Sequence, residues 1–333
     1  MRMGIVGVGR IGALHAETLQ TLAEVEELTI VDVDTARARQ VASTLGVSWA
    51  EDAEALLHDG VDGLVIATPT DTHAALIGAA AKAGIAIFCE KPVATDVAGT
   101  RDVVRQVEKS GAQVQVGFQR RFDVGFVSAR EQVQTRKLGW LHTIRAGTLD
   151  PAPPPASYIA SSGGIFRDCS VHDIDAVRWV TGQDVRMVYA AGSNRGANYF
   201  LQAGDVDTAA ALLTLEDDTL ALISATRYNA AGYDVRLELL GSEGSISVGL
   251  DDRLPLRSAE PGVTWPAGTA YANFLDRFRD AYIAELEAFV DLVGGRIANP
   301  CSPADTLETF YVAEACELSR RENRAVTLEE VRL

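Results

Sequence analysis

Basic residues are scarce in this chain of 333 residues, which has 30 lysines and arginines against 46 aspartates and glutamates and a formal net charge of −16. A surface of this sign repels nucleic acids and anionic lipids at long range, and no basic tract offsets it. The sequence also lacks a long uninterrupted apolar run, since HAALIGAAAKAGIAIF is broken by Lys82 and two glycines. We therefore expect neither nucleic acid nor membrane as a partner.

Cysteines at metal-binding or redox spacing are missing as well. The four cysteines form no C-x-x-C motif and lie far apart, at Cys89, Cys169, Cys301 and Cys316. We expect reduced, mostly buried thiols. The N-terminal MRMGIVGVGR has no secretory layout, because glycines interrupt its apolar stretch and no small-residue cleavage site follows. These absences predict a cytoplasmic protein.

Residues 1–120 alternate short apolar runs with helical stretches. The runs are MGIVGV, ELTIVDV, VDGLVIAT, IAIFCE and AQVQVGF. Runs that are apolar on both faces and separated by helices of about 10–15 residues indicate a parallel sheet covered by helices on each side.

Beyond residue 120 the pattern changes to alternation with a period of two. In YDVRLELLGSEGSISVG, Val235, Leu237 and Leu239 share one face, while polar side chains take the other. A second hairpin is predicted to turn at 216–218. This alternation is typical of an antiparallel sheet with one face toward water.

The stretch GVGRIG follows the first strand, opens a helix and has the pattern G-x-G-x-x-G. Gly7 permits a tight turn, Gly9 lets the backbone approach a pyrophosphate, and Gly12 allows close packing of helix on sheet. The helix N-terminus adds N–H donors for the phosphates. Asp32 ends the second strand, where a carboxylate accepts hydrogen bonds from ribose hydroxyls and repels a 2′-phosphate. NAD is therefore favoured over NADP, with Arg10 as the opposing signal.

The predicted fold is an α/β Rossmann domain over residues 1–120 and an α+β domain with a large, mainly antiparallel sheet over residues 121–333. The first domain is expected to bind the dinucleotide, and the second to bind substrate and to mediate self-association. Hydride transfer is the expected chemistry of a bound dinucleotide. It requires a substrate pocket at the carboxyl ends of the strands, with a proton acceptor in it.

The stretch DCSVHDID (168–175) places three aspartates and one of the five histidines within eight positions. Its spacing is compatible with a metal site, a solvated acidic patch or a proton relay. Asp168 and His172 are four residues apart, so they face the same side if they share a helical turn. Asp173 and Asp175 point elsewhere, and we expect them to serve the helix N-terminus or solvent.

Five features in a fixed order support a family resemblance: the glycine fingerprint, TPTDTH (68–73), EKP (90–92), GFQRRFD (117–123) and the D-x-x-x-H of the acidic stretch. Over nearly its whole length the chain resembles the Gfo/Idh/MocA oxidoreductase family. DPAPPPASYIASSGGIFRDCSVHDIDAVRW, and GYD before LELLGSEG, resemble its inositol-oxidising members. One position differs from the pattern of these members: many of them carry a basic residue where this chain has Leu149.

The resemblance implies a set of site residues. Lys91, Asp168 and His172 would be catalytic and contact substrate, and Asp150 and Tyr233 would be further substrate contacts. The predicted cofactor contacts are Gly7, Gly9, Arg10, Ile11, Gly12, Asp32, Thr68, Pro69, His73, Glu90 and Lys91. No metal is expected, because a metal site needs at least three converging ligands and the cation of Lys91 would oppose it.

Several of these residues also have a purely structural alternative. His73 either lies near the nicotinamide or packs against the following helix, and Tyr233 is either a substrate contact or part of the core. His15 is expected to pack within the fold. Arg120 and Arg121 are expected to brace the domain junction rather than touch substrate.

These assignments predict a mechanism. Oxidising a secondary alcohol requires removal of the hydroxyl proton as hydride leaves carbon, and histidine, with an ordinary pKa of about 6.5, suits that exchange. His172 is the expected base, Asp168 would orient its ring, and Lys91 would stabilise the developing alkoxide.

The resemblance implies NAD-dependent oxidation of a ring hydroxyl of a cyclic polyol, most directly myo-inositol to 2-keto-myo-inositol (scyllo-inosose). A sugar dehydrogenase or keto-sugar reductase using NAD(P) is the enzymatic alternative, and an NAD-binding regulatory protein is the non-enzymatic one. The expected partners are a small cyclitol or sugar and further copies of the chain, as a dimer or homotetramer.

Overall fold

A computed structural model describes residues 1–332, which form two compact units. The first unit contains Met1–Gln119 and Asp280–Leu307. The second contains Arg120–Arg279 and the chain from Glu308 onward. The expected division into 1–120 and 121–333 has its boundary near the same point, but it did not anticipate that a C-terminal segment belongs to the first unit.

The first unit is built on a six-stranded parallel sheet. Its strands are β1 (Arg2–Val6), β2 (Glu27–Val31), β3 (Ser48–Trp49), β4 (Gly63–Ile66), β5 (Ala86–Glu90) and β6 (Val114–Gly117). They lie in the order β3-β2-β1-β4-β5-β6, and all pairs are parallel. The order reverses between β1 and β4, which is the switch point where doubly wound sheets bind ligands. The predicted Rossmann sheet is confirmed.

Five helices of the first unit connect these strands. They are α1 (Arg10–Thr21), α2 (Thr35–Leu45), α3 (Ala53–Asp59), α4 (His73–Lys82) and α5 (Val97–Ser110). Three of them begin at aspartates whose side chains accept backbone N–H bonds, namely Asp34, Asp52 and Asp96. Such caps satisfy donors that the first helical turn leaves unpaired. The sequence had indicated four of these helices and missed the short α3.

The core of the first unit includes residues from a helix near the C-terminal end. Helix α10 (Phe274–Val293) begins in the second unit and ends in the first. Its Leu286, Phe289 and Val290 join Ile5, Leu19 and other buried side chains of the sheet and α1 in one hydrophobic cluster. Beyond α10, Asn299 donates to the carbonyl of Val114 and so covers the edge strand β6.

The second unit is built on a seven-stranded sheet. Its strands are β7 (Leu141–Leu149), β8 (Val185–Ser193), β9 (Thr208–Leu215), β10 (Leu220–Thr226), β11 (Asp234–Gly241), β12 (Ser245–Val248) and β13 (Val326–Thr327). The order is β12-β11-β7-β10-β9-β8-β13. Both predicted hairpins, β9–β10 and β11–β12, are antiparallel. The sequence did not predict that β7 and β10 run parallel.

Further helices belong to the second unit. They are α6 (Val124–Gln134), α7 (Ala156–Ile159), α8 (Val171–Thr181), α9 (Tyr199–Gln202) and α11 (Pro303–Glu322), which begins in the first unit. A π-helix, Phe166–Ser170, runs directly into α8. The alternation predicted for β11 is confirmed, since Val235, Leu237 and Leu239 are buried.

All four cysteines are buried and free of disulfides in the described chain. Across residues 1–332, no helix combines the length and the apolar character that crossing a bilayer requires.

Candidate active site

The glycine fingerprint forms a tight turn between β1 and α1. Gly7 has a φ of +91°, which glycine adopts without strain, and its N–H bonds to the carbonyl of Val31 at 2.8 Å. A Cβ on Gly12 would lie 2.0 Å from the carbonyl oxygen of Gly7, so only glycine fits there. Both positions therefore act as the sequence predicted, one in the turn and the other in the packing of α1.

Gly9 differs, because a Cβ at this position would meet no heavy atom of the described chain within 4 Å. It is exposed, has an ordinary φ of −67° and precedes the first turn of α1. It offers no side chain to cap the helix or to cover the N–H groups of the first turn. This open backbone surface fits the pyrophosphate of a dinucleotide.

Asp32 lies at the end of β2 and is buried. Its Oδ2 accepts from the N–H of Val8 and its Oδ1 from the N–H of Asp34, each at 2.8 Å. These bonds fix the carboxylate beside the glycine turn, and Oδ2 keeps a lone pair for a ribose hydroxyl.

The sequence reading named Arg10 as the cation that could favour NADP, but the structure adds another. Nη1 of Arg37, on the first turn of α2, lies 3.5 Å from Oδ1 of Asp32. Arg37 also pairs with Asp34 at 3.3 Å, so two carboxylates oppose its charge.

The loop after β4 lies at the neighbouring strand end. Thr68 Oγ1 and Thr72 Oγ1 are 2.6 Å apart, and Pro69 is exposed between them. His73 is fully buried, with Nδ1 2.7 Å from the carbonyl of Pro92 and Nε2 2.8 Å from that of Thr68. Of the two roles left open for His73, this geometry favours packing, since the ring joins the loops after β4 and β5.

Glu90 ends β5, and Lys91 follows it at the carboxyl edge of the sheet. The side chain of Lys91 is half-buried, and a cis peptide bond joins it to Pro92. Because β1, β4 and β5 are adjacent and parallel, the glycine turn, Thr68 and Lys91 all lie along one sheet edge of the first unit.

In the second unit, strand register brings a second set of predicted residues together. Asp150 follows β7 and Arg227 follows β10, its parallel neighbour. Tyr233 precedes β11, whose first residue pairs with Leu149 at the end of β7. Chain ends of three neighbouring strands thus place Asp150, Arg227 and Tyr233 at one edge of the sheet. Tyr233 is buried, and burial raises the pKa of its hydroxyl.

Arg227 is the residue that the sequence analysis missed. Its Nη1 donates to Oδ2 of Asp150 at 2.9 Å and its Nη2 to Oδ2 of Asp168 at 2.5 Å. The other oxygen of Asp168 accepts from the hydroxyl of Tyr158 at 2.7 Å. The signal available in the sequence was an arginine near the end of the hairpin predicted to turn at 216–218, which by itself indicates a solvated charge.

The charges of this network support one another. Burial opposes the charge of Arg227, but the carboxylates of Asp168 and Asp150 raise its pKa above the ordinary value. Burial and the carboxylate of Asp168 raise the pKa of Tyr158, which therefore stays a hydrogen-bond donor. Asp168 is thus held in place from two sides by groups that donate to it.

Asp168 lies in the π-helix and His172 in the first turn of α8, so the two residues share one continuous helical segment. π-helical turns are rare and are frequently found at functional sites. His172 is half-buried. Asp168 and His172 are four residues apart in this segment, and their pairing as acid and imidazole stays a prediction.

The expectation that Asp173 and Asp175 serve the helix N-terminus or solvent was wrong. Both are buried: Asp173 accepts from Arg120 at 2.6 Å, and Asp175 accepts from two nitrogens of Arg121 at 2.9 and 2.7 Å. Buried carboxylates require such partners because desolvation penalises an unpaired charge. The two arginines brace the interior of the second unit.

Sequence matches along both units agree with this geometry. A family model described as "Oxidoreductase family, NAD-binding Rossmann fold" matches residues 1–118, and one described as "GFO/IDH/MocA C-terminal domain" matches residues 126–247. The chain is 36% identical to a myo-inositol 2-dehydrogenase of Thermotoga maritima, covering 99% of both chains. It is 33% identical to a scyllo-inositol 2-dehydrogenase (NAD(+)) of Bacillus subtilis, covering 99% of this chain and 96% of the relative.

A solved structure agrees with these matches. The scyllo-inositol dehydrogenase from Lactobacillus casei, with bound cofactor NAD(H) and scyllo-inositol, superposes with a TM-score of 0.87 at 30% identity and covers 99% of both chains. The cofactor prediction, NAD, is confirmed at the level of the family, and the glycine turn and Asp32 fit that cofactor. By its fold, its sequence matches along both units and its dinucleotide-binding turn, the chain belongs to the GFO/IDH/MocA family of NAD-dependent oxidoreductases.

Proposed function

We propose that this protein oxidises a secondary ring hydroxyl of a cyclic polyol with NAD, and that the substrate is myo-inositol, giving scyllo-inosose. The supporting observation is the network of Asp150, Arg227, Asp168 and Tyr158 at one sheet edge. Oriented carboxylates can accept hydrogen bonds from neighbouring hydroxyls of a polyol. The relatives named above act on inositols, which agrees with this substrate class.

The residues of the chain handle the proton in this reaction. His172 takes the proton of the reacting hydroxyl as general base, and Asp168, held by Arg227 and Tyr158, orients the imidazole. Lys91 donates to the same oxygen and stabilises its developing negative charge. The glycine turn and Asp32 would hold NAD, which would supply the hydride acceptor for the carbinol carbon, with a ketone, NADH and one proton as the balanced products.

Two substitutions test these roles. Lys91→Ala and His172→Ala should each lower kcat by a factor of about 10²–10⁴, while NAD still binds and raises the melting temperature. Near-normal turnover of either variant would overturn the assignment. NAD binding by the wild-type protein without turnover of any polyol would instead favour the regulatory alternative.

A second candidate, a sugar dehydrogenase or keto-sugar reductase, is favoured by one residue. Leu149 stands where many inositol-type members have a basic residue, and it is half-buried next to Asp150. NADH formation with myo-inositol, scyllo-inositol, D-glucose and D-xylose separates the candidates. Preference for a sugar over both inositols would replace the first proposal with the second.

We also infer that the protein is cytoplasmic and forms a dimer or homotetramer through the outer face of its large sheet. This face exposes apolar side chains on three neighbouring strands, with Tyr189 43%, Leu212 41% and Leu222 46% exposed. Exposed apolar patches of this kind mark association surfaces. Light scattering of the purified protein tests the stoichiometry, and Leu222→Arg should favour the monomer.

A further inference from the structure

A buried cluster of three ionisable side chains lies in the first unit. His15 belongs to α1, Glu90 ends β5, and Glu285 belongs to α10. One nitrogen or oxygen atom of each lies within 4.8 Å of those of the other two. His15 and Glu285 are fully buried, whereas the side chain of Glu90 is 13% exposed.

The cluster has more acceptors than donors. Nε2 of His15 and Oε1 of Glu90 are 2.7 Å apart, which makes one hydrogen bond between imidazole and carboxylate. Within residues 1–332, neither oxygen of Glu285 has a hydrogen-bond partner, and Nδ1 of His15 has none. An ionised carboxylate only accepts, so a cluster with Glu285 ionised would leave buried lone pairs unsatisfied.

Either a proton or a metal cation could resolve this shortage. A metal site needs lone pairs that converge on one ion, but the Nε2–Oε1 distance shows that two of the three groups already bond directly to each other. A proton on Glu285 supplies the missing donor without breaking that bond. A neutral Glu285 also avoids the repulsion between two carboxylate charges in this buried cluster.

The surroundings of Glu285 favour its neutral form. Burial, and then the charge of Glu90, raise the pKa of Glu285 well above its ordinary value. The neighbouring titratable side chains are His15 on α1, Tyr282 one turn earlier on α10, and Cys89 and Glu90 on β5. The ring of Tyr282 lies edge-on to that of His15 at 6.0 Å, and the buried thiol of Cys89 has a raised pKa and stays neutral.

We propose that Glu285 is a neutral acid beside the carboxylate of Glu90, and that with Glu90 and His15 it positions the end of β5 from which Lys91 extends. The cluster joins three elements: the helix that opens at the glycine turn, the strand that precedes Lys91, and α10. The role given to Lys91 rests on the proposed function, whereas the protonation of Glu285 does not. Glu285 is thus a positioning residue rather than a catalytic one.

The protonation is tested directly by infrared difference spectroscopy. At pH 7 the wild-type protein should show the carbonyl stretch of a buried protonated carboxylic acid, and Glu285→Gln should lose it. Glu287→Gln, which changes an exposed glutamate on the same helix, should keep the band. A band unaffected by Glu285→Gln would overturn the proposal. So would a stoichiometric divalent metal in the purified wild-type protein that Glu285→Gln removes.

Stability provides a second test that needs no substrate. The unfolded state releases the proton of Glu285 above about pH 4.3, whereas the folded state retains it to higher pH. The free energy of unfolding of the wild-type protein therefore falls as the pH rises from about 4.3 toward the pKa of Glu285 in the folded state. The variant Glu285→Gln has no proton to release at this position, so its free energy of unfolding does not fall for this reason. From pH 5 to pH 7, the folding equilibrium constant of Glu285→Gln relative to wild type should rise by up to about tenfold per pH unit. A constant ratio would contradict the proposal, and Glu287→Gln is the control.

Kinetics test the positioning role. Glu285→Gln keeps a neutral side chain that can donate, so kcat should stay within about twofold of wild type. Glu285→Leu fills similar space without a donor, so the fold should persist while kcat falls by at least about tenfold with NAD affinity unchanged. Wild-type kcat in Glu285→Leu would overturn the positioning role. If the wild-type protein turns over no polyol, the proposed function fails, while the spectroscopic and stability tests still decide the protonation.

Discussion

Nη2 of Arg227 lies 2.5 Å from Oδ2 of Asp168, and these two residues are 59 positions apart in the chain. The same guanidinium holds Asp150, so one buried cation organises two carboxylates that were assigned to the substrate site. Arginine suits this place because its planar fork donates in two directions at once. The geometry of the acidic part of the candidate site therefore depends on Arg227.

Replacing Arg227 with lysine should uncouple the two carboxylates. A lysine ammonium is a compact donor on a flexible stem and cannot hold both Asp150 and Asp168 in this geometry. We expect kcat/KM for the polyol to fall by at least about tenfold, with unchanged affinity for NAD. Steady-state kinetics measure the first quantity and titration of protein fluorescence the second.

Arg186→Lys is the matched control, because Arg186 and Asp218 form an exposed ion pair on the same sheet. Exposed pairs of this kind contribute about 0–1 kcal/mol. If Arg227→Lys and Arg186→Lys behave alike, Arg227 has no special role in the site.

Two substitutions in the glycine turn should affect different properties, one the affinity for NAD and the other the stability of the fold. Gly9→Ala places a Cβ in open space, so stability should change by less than about 0.5 kcal/mol, while the Kd for NAD rises at least about tenfold because the pyrophosphate approaches here. Gly12→Ala places a Cβ 2.0 Å from a backbone oxygen and should lower the melting temperature even without NAD. Thermal melts with and without NAD distinguish the two. Unchanged NAD affinity in Gly9→Ala would place the phosphates elsewhere.

Asp32 should control the choice between NAD and NADP. Asp32→Ser removes the charge that repels a 2′-phosphate, while Arg37 remains beside the position. We expect the ratio of kcat/KM for NADP to that for NAD to rise at least about tenfold, which corresponds to about 1.4 kcal/mol.

Asp34→Ser serves as the control, since serine also caps a helix and Asp34 is more exposed. Both variants are compared by initial rates with the two cofactors. An equal change in both variants would assign the effect to the net charge of this surface rather than to Asp32.

The buried pair of Arg120 and Asp173 predicts a stability effect. Asp173 also accepts from the hydroxyl of Thr148 at 2.8 Å, so both of its oxygens are satisfied. Asp173→Ala should lower the free energy of unfolding by about 3–5 kcal/mol, because it leaves a buried guanidinium without its carboxylate.

Asp102→Ala removes one partner of the exposed pair with Arg105 and should cost no more than about 1 kcal/mol. Urea unfolding followed by circular dichroism measures both variants. Similar urea midpoints for Asp173→Ala and Asp102→Ala would show that the buried ion pair of Asp173 contributes no more to stability than the exposed ion pair of Asp102.

The features that the sequence predicted well are those carried by local periodicity. Apolar runs identified the parallel strands, alternation identified both hairpins, and G-x-G-x-x-G identified the turn before α1. These patterns report burial over a few neighbouring residues, which is what a strand or helix requires. These local patterns could not predict the parallel pairing of β7 with β10, because no local signal links two segments so distant in the chain.

The candidate site was predicted in part for the same reason. Asp150, Asp168 and Tyr233 were named from motifs, whereas Arg227 was not, although it bonds to two of them. Asp173 and Asp175 were assigned to solvent because an aspartate early in a helix is usually exposed, and their arginine partners lie more than 50 residues earlier. A charged residue that is expected to be exposed can be buried when tertiary folding brings a partner of opposite charge to it.

The discontinuous core of the first unit has a consequence for biosynthesis. Phe289 packs against Phe88 with ring centroids 5.8 Å apart, and Asn299 covers the edge strand β6. The first unit is therefore completed by a segment that lies far later in the chain than its strands. A ribosome releases the N-terminal residues long before it makes these partners. The nucleotide-binding unit therefore keeps part of its apolar surface uncovered until the segment Asp280–Leu307 has been synthesised.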